Sequence, residues 1–340
     1  MIRSKIGSVL LRGGVTLSIF THTYDDIISV ENLVNAWREF VRGKRKRADV
    51  QEFQFRLMDN ILELHRDLKN KTYKHGGYEH FVVTDPKRRD IHKARVRDRL
   101  VHHAIYRILY THFDRKFITD SYSCRNNKGT HKAITQFKKF VCKVSQNNTK
   151  ICWLLKCDIR KFFASIDHKA LLQILNKSIK DQAVVNLLIN VISSFNSGVA
   201  GVGLPLGNLT SQLLVNIYMN EFDHYIKHTL KVTYYIRYAD DFVILSNNKN
   251  ELTKTISYMI VFLRDRLALK LHPHKVSITT FSSGVDFLGW VHFPHHSVLR
   301  TVTRRRVVRK LNNPEIIESS KQSYLGLLRK GNTFGLQRKF

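Results

Sequence analysis

Three aspartates stand where a phosphoryl-transfer site would need them. Asp240 and Asp241 are adjacent within residues 231–246, the most strand-like stretch of the chain, with Tyr234-Tyr235-Ile236 before them and Phe242-Val243-Ile244-Leu245 after. That pattern puts two acids at the tip of a β-hairpin. Neighbouring carboxylates repel, and apolar strands around them penalise the ionised form, so a cation must hold them charged, and a divalent ion does this best. Asp158 closes a short apolar run at 151–156 and so sits at a strand's end. If the two strands are neighbours in one antiparallel sheet, three carboxylates converge from separate elements. Phosphoryl transfer by two metal ions requires this, one ion activating the attacking hydroxyl and the other the leaving oxygen. Spacing alone does not decide the matter, because an Asp-Asp pair in a turn is also an ordinary solvated feature.

The elements that must position these acids follow from pattern changes along the chain. Residues 31–69 read as helices broken by the basic run Arg42-Gly43-Lys44-Arg45-Lys46-Arg47, and 79–91 as strand, turn and strand around Asp85-Pro86. From Arg95 a helix is indicated by Val101, Ala104, Ile105, Ile108 and Leu109 on one face. A second runs from His168 through Leu171, Leu172 and Leu175 to Ile179, and the glycine-rich loop 198–207 feeds a third that starts at Leu209. Tyr24-Asp25-Asp26 repeats the acidic pair but precedes a helical pattern and lacks flanking strands, so it is read as a decoy.

Composition narrows the partners. With 57 Lys and Arg against 27 Asp and Glu, the 340-residue chain carries +30, a self-repulsion that points to a polyanion, nucleic acid above all. There is no run of eighteen uncharged apolar residues, which speaks against a membrane span and for a cytoplasmic protein with a loose leader over residues 1–23. The four cysteines form no C-x-x-C pair and are expected to be reduced core thiols, while His272, His274, His292, His295 and His296 are expected to be solvated or to face phosphate.

Residue context adds a resemblance. Tyr238-Ala239-Asp240-Asp241 with its apolar flanks resembles the catalytic hairpin of reverse transcriptases. Lys156-Cys157-Asp158-Ile159-Arg160-Lys161-Phe162-Phe163-Ala164-Ser165-Ile166-Asp167-His168 is similar to the first catalytic-aspartate motif of the bacterial enzymes. The resemblance implies that Asp158, Asp240, Asp241 and the carbonyl of Ile159 hold two Mg²⁺ ions, with Mn²⁺ as a substitute, and that Phe163, beside Phe162, blocks a ribose 2′-OH. Pro86-Lys87-Arg88-Arg89-Asp90-Ile91 resembles the motif that grips the incoming triphosphate, with Lys87 and Arg89 at the matching positions. Leu271-His272-Pro273-His274-Lys275 resembles the motif whose lysine lies near the pyrophosphate, and Asp286-Phe287-Leu288-Gly289-Trp290 the primer-grip turn. On the same footing Tyr238, Gln212, Phe287, Leu288, Gly289, Arg304, Arg305 and Arg309 are expected to meet nucleic acid, and Leu206 and Gly207 the nucleotide.

Gly203-Leu204-Pro205-Leu206-Gly207-Asn208-Leu209-Thr210-Ser211-Gln212 discriminates among subfamilies. Retroviral and group II intron enzymes typically carry Gln-Gly at Leu206-Gly207 and Ser-Pro at Ser211-Gln212. The form found here resembles the reverse transcriptases of diversity-generating retroelements, as do Ser123-Cys124-Arg125, Lys128-Gly129-Thr130-His131 and Ser323-Tyr324-Leu325-Gly326. That implies an α+β right-hand polymerase with fingers to about residue 150, a palm with an antiparallel sheet over 151–292, and a short helical thumb over 293–340. Its expected work is RNA-directed DNA synthesis on a template-repeat RNA, error-prone opposite adenine. Deoxynucleotides, a primer strand and a small basic accessory protein are the implied partners. A retron or antiphage enzyme, or a catalytically idle RNA-binding protein on the same fold, are the alternatives. The chain's stop at Phe340 is expected to exclude a maturase or nuclease extension.

Overall fold

The computed structural model describes residues 20–85, 87–329 and 331–338, together with two short paired strands, Ser8–Val9 and Leu17–Ser18. Most of the expected leader lies outside the described residues. Of its last four residues Phe20 is buried edge-on to His112, while Thr21, His22 and Thr23 are exposed and Thr23 caps the helix Tyr24–Ile28. Asp26 completes that cap by accepting the Thr23 backbone N–H at 2.7 Å, so the decoy acids serve a helix start.

A four-stranded antiparallel sheet forms the centre, in the order Tyr235–Tyr238, Asp241–Ser246, Trp153–Asp158, Ser277–Thr280. Strand alternation sorts its side chains into two cores. Leu155, Cys157, Phe242 and Ile244 join the larger core, shared with the helices Val96–Asp114, Leu209–His224 and Lys249–Leu267. Leu154, Val243 and Leu245 join a second core with Phe137, Phe140 and Val141 of the helix Thr130–Val144. Both faces are covered, which is why these strands read as nearly continuous apolar runs. The hairpin strand starts at Tyr235 rather than at 231, because a π-helical turn, Tyr225–Thr229, extends the preceding helix.

The helix Val96–Asp114 buries Val101, Ala104, Ile105 and Leu109, the face its spacing predicts, and lies between the helices Val30–Phe40 and Leu209–His224. The basic run at 42–47 forms the expected break before Ala48–Phe55 and Leu57–Lys69. Ahead of Val96–Asp114 runs a largely exposed hairpin, Tyr78–Val83 paired with Arg89–Ala94.

Toward the C-terminus a three-stranded sheet, Val285–Phe287, Trp290–His292 and Ser297–Leu299, leads into the helices Thr301–Leu311 and Glu318–Leu328. A third core gathers Trp290, Leu299, Val307, Leu311 and Leu328. The expected boundary after residue 292 cuts a hairpin in which His292 pairs with Ser297. Two expectations need correction. Cys152 and Cys157 are buried thiols, but Cys124 and Cys142 are exposed. His292 is not solvated: it is 1% exposed and bonded to Ser297 Oγ at 2.9 Å, because strand alternation turns it inward. No helix among the described residues is long and apolar enough to cross a membrane.

Candidate active site

Asp158 and Asp241 are cross-strand partners, the last residue of one central strand opposite the first of the next. Both lie on the face of Leu154 and Leu245, one step beyond the end of that apolar cluster, so their carboxylates are half-buried rather than sealed in. Asp240 belongs to the two-residue turn between Tyr238 and Asp241, which are themselves paired. Such tight turns need positive φ, and Ala239 supplies it at 56°, a conformation costing an L-residue roughly 1–2 kcal/mol. The Ile159 amide, next to Asp158, donates to the Asp240 carbonyl at 3.3 Å and ties the turn to the neighbouring strand's end.

Lys275 reaches the same point from a third element. The His272 N–H donates to the Asp158 carbonyl at 2.8 Å and the Arg160 N–H to the Lys270 carbonyl at 2.9 Å, so the 270–275 segment is pinned to the aspartate's own backbone. From there Lys275 Nζ lies 2.9 Å from Asp158 Oδ2. Lys156, which the sequence reading did not single out, stands 3.8 Å from Asp241 Oδ2. Its signal was present: two residues before Asp158 in a strand is the same face.

The electrostatics are those of a site short of positive charge. Burial pushes the Asp241 carboxyl up to about 7; Lys156 opposes this, while Asp240, Asp158 and Asp286 add to it. Burial and the charge of Asp158 also raise Asp240, with Lys275 and Arg89 pulling it back. Asp241 Oδ1 is buried without a hydrogen-bond partner. An orphaned carboxylate oxygen among acids suits a hard divalent cation. Among the described residues no three His, Cys, Asp or Glu side chains are gathered as a ligand set. The Asp158 carboxylate is paired with Lys275 instead.

The glycine-rich loop is a strap between two other segments. At one end the N–H groups of Gly203 and Leu204 donate to the carbonyls of Ile166 and Phe163, both at 2.8 Å. At the other the His92 N–H donates to the Leu206 carbonyl at 3.0 Å. Asn208, 2% exposed, accepts from the Ala94 N–H at 3.2 Å and donates to the His92 carbonyl at 2.7 Å. Gly207 has φ 105°, and a Cβ there would stand 2.8 Å from Ile91 Cγ2, so the loop approaches the hairpin more closely than another residue allows. Leu206, partly exposed, lies between these two anchorages. Asn208 was missed as a positioning residue because nothing in a sequence marks an amide that serves backbone from a distant hairpin.

The remaining expected residues divide. Lys87 and Arg89 are exposed on the hairpin, Arg89 near enough to Asp240 to favour its charge. Phe163 is partly exposed on the 3-10 turn Phe162–Ser165, but Phe162 turns into the larger core at 4% exposure and is not free to touch a nucleotide. Phe287 likewise is 0% exposed, its ring 5.2 Å from that of Phe137, so it supports the turn from beneath rather than meeting nucleic acid. Leu288 and Gly289 form that turn with φ 51° and 85°. The Tyr238 hydroxyl accepts from Thr130 Oγ1 at 3.2 Å, and Gln212 is half-buried on the helix Leu209–His224. Arg304 and Arg305 are exposed on Thr301–Leu311, while Arg309 and Lys310 reach Asp85 at the hairpin's turn, at 3.2 and 3.9 Å.

Comparison with known proteins places this geometry. Residues 74–292, more than half of the chain and including all three aspartates, match the family model "Reverse transcriptase (RNA-dependent DNA polymerase)". Protein YkfC of Escherichia coli is 26% identical over 57% of this chain and 60% of its own length. The group II intron-encoded protein LtrA of Lactococcus lactis is 22% identical over 57% of this chain and 42% of its own. The putative COX1/OXI3 intron 2 protein of Saccharomyces cerevisiae is 22% identical, over 63% and 30%. The chain thus spans three-fifths or less of these relatives. Among solved structures, apo telomerase from Candida Tropicalis truncated from its C-terminal domain superposes with a TM-score of 0.49 at 11% identity, over 72% of this chain and 60% of that one. With the family match covering the central sheet, the paired aspartates and the strap, the chain belongs to the reverse transcriptase (RNA-dependent DNA polymerase) family and has its α+β right-hand polymerase fold.

Proposed function

We propose that this chain is an RNA-directed DNA polymerase that makes cDNA with errors concentrated opposite adenine, from the template-repeat RNA of a diversity-generating retroelement. The observation that carries the polymerase reading is the cross-strand pairing of Asp158 with Asp241, with Asp240 on the adjoining turn. Asp158, Asp240, Asp241 and the Ile159 carbonyl would hold two Mg²⁺ ions, or Mn²⁺ in their place, which would supply charge neutralisation for attack of a primer 3′-OH on the α-phosphate.

The chain's own side chains do the rest. Lys87 and Arg89 take the triphosphate, and Lys275, freed from Asp158, neutralises the departing pyrophosphate and hands it a proton. Phe163 fills the space of a ribose 2′-OH. Template and primer run past Tyr238, Gln212, the Leu288-Gly289 turn and the exposed arginines 304, 305 and 309. On this reading residues 24–150 act as fingers, 151–292 as palm and 293–340 as thumb, and a small basic accessory protein helps to hold the RNA.

Leu206 favours the subfamily. An aliphatic side chain sits on a strap tied to both the Phe163 turn and the Arg89 hairpin, where an amide could bond a correctly placed nucleotide. One site contact is worth about 1–3 kcal/mol of discrimination. Deep sequencing of cDNA copied from a defined RNA is expected to show misincorporation opposite adenine, lowered up to roughly tenfold by Leu206→Gln with activity retained. A uniform, low error rate would leave the polymerase and remove the diversity-generating role in favour of a retron or antiphage enzyme. No extension at all by the wild type would leave an idle RNA-binding protein.

A further inference from the structure

Arg237 lies in the strand directly before the catalytic turn and is 0% exposed. Every N–H of its guanidinium is used. Nε and Nη2 each donate to Asp223, to Oδ1 and Oδ2, at 2.7 Å. Nη2 also donates to Ser121 Oγ at 3.0 Å, and Nη1 to Asn216 Oδ1 at 3.2 Å. The fifth bond, from Nη1 at 3.2 Å, goes to the carbonyl of Ala239, the residue in the left-handed conformation. The partners are themselves fixed. Asp223, 0% exposed, accepts from the Tyr235 hydroxyl at 2.7 Å, and Asn216 donates to the Ser123 carbonyl at 2.9 Å. The Arg237 backbone is held at both ends, its N–H on the Asp120 carbonyl and its carbonyl on the Tyr122 N–H, each at 3.0 Å.

A fully buried ion pair is weak support for stability, since apolar side chains of similar volume usually do as well. Its value here is geometric. Asp240 leaves the sheet through Ala239, and the turn is gripped on one side by the Ile159 amide and on the other by Arg237. We propose that Arg237 is a positioning residue of the active site: held by Asp223, Asn216 and Ser121, its guanidinium fixes the Ala239 carbonyl and with it the turn that aims Asp240 beside Asp158 and Asp241. The inference rests on the polymerase reading above. Lysine, with one nitrogen, cannot span from Asp223 to Ala239, so the requirement is for the fork and not for the charge.

The test replaces both buried charges at once, Arg237→Met with Asp223→Leu, in the full chain, with Arg237→Lys as the variant that keeps a charge against Asp223 should the pair not fold. Circular dichroism establishes folding. Mn²⁺ affinity is measured by electron paramagnetic resonance and primer extension on RNA by single-turnover kinetics. Losses of roughly 10–100-fold are expected in both Mn²⁺ affinity and kcat, the usual scale for a residue that orients a ligand, with nucleotide KM and template affinity little changed. Adding Ala239→Gly, which adopts the left-handed turn without strain, is expected to recover part of both. A folded variant with wild-type Mn²⁺ affinity and kcat overturns the inference, as does a loss that falls on template affinity or is untouched by Ala239→Gly. A wild type that binds Mn²⁺ yet extends nothing defeats the polymerase reading instead, and leaves the Mn²⁺ comparison to decide the role of Arg237.

Discussion

Asp241 carries a cost of folding that only added positive charge relieves. Its carboxyl loses a proton near the ordinary 3.9 in the unfolded chain and at about 7 in the folded one, burial being the chief cause. Between those values the folded state keeps a proton that the unfolded state has released, so stability falls as pH rises through that window. Melting temperatures in a chelator are expected to drop between pH 4.5 and 7.5. Mg²⁺ should raise them more at pH 7.5 than at 4.5, and Asp241→Asn should flatten both responses; a melting curve indifferent to pH and Mg²⁺ would count against this. By the same logic Asp240→Asn should abolish primer extension while melting no lower than wild type, because it removes a crowded charge and no packing group, whereas Asp158→Asn should abolish extension and also lose the ion pair with Lys275. At this scale the sequence was informative about placement, since the apolar runs beside the acids marked the strands that pair Asp158 with Asp241. Lys156 could have been found as well, since two residues before Asp158 in a strand is the same face, but its reach to Asp241 depends on how the two strands pair.

The helices from Arg95 and His168 were legible from period, but Thr130–Val144, Gln182–Ser193 and Lys249–Leu267 went unmarked, and so did the direction a given ring takes. Phe162 and Phe163 are adjacent in a 3-10 turn, and only the packing of the larger core decides that the first is buried and the second partly free. Phe287 was assigned by motif to a surface role, whereas alternation from Val285 puts it in the second core, with Leu288 partly buried against that core in the turn. The strap at 203–208 shows the complementary case: its glycines announced a loop, but not that the loop holds the hairpin in place. Asn208→Ala removes two bonds to buried backbone groups, and a stability loss of about 1–3 kcal/mol is expected by denaturant unfolding. If the strap sets the attitude of the Arg89 hairpin, the same variant should raise nucleotide KM and leave template affinity alone. Equal changes in both would show the strap to be structural only.

For the whole molecule, the net charge of +30 gives nucleic-acid binding a steep salt dependence. Arg305→Ala, removing one exposed cation from Thr301–Leu311, should lower the slope of log affinity against log salt by about 0.7–0.9 and weaken binding alike for all template sequences; an unchanged slope would remove that helix from the binding surface. Composition points to this class of partner, but it did not reveal that Arg309 and Lys310 rest on Asp85, Arg309 from 224 positions away. The order of the central sheet has a consequence in time. Trp153–Asp158 is the first of its four strands to be synthesised, yet it lies between Asp241–Ser246 and Ser277–Thr280. At a synthesis rate of about 5–20 residues per second, it waits roughly five to twenty seconds for its first neighbour, with both edges open to any strand that comes near. Lys156 and Asp158, the charged residues of that otherwise apolar segment, are what interrupts its run of apolar positions during the wait.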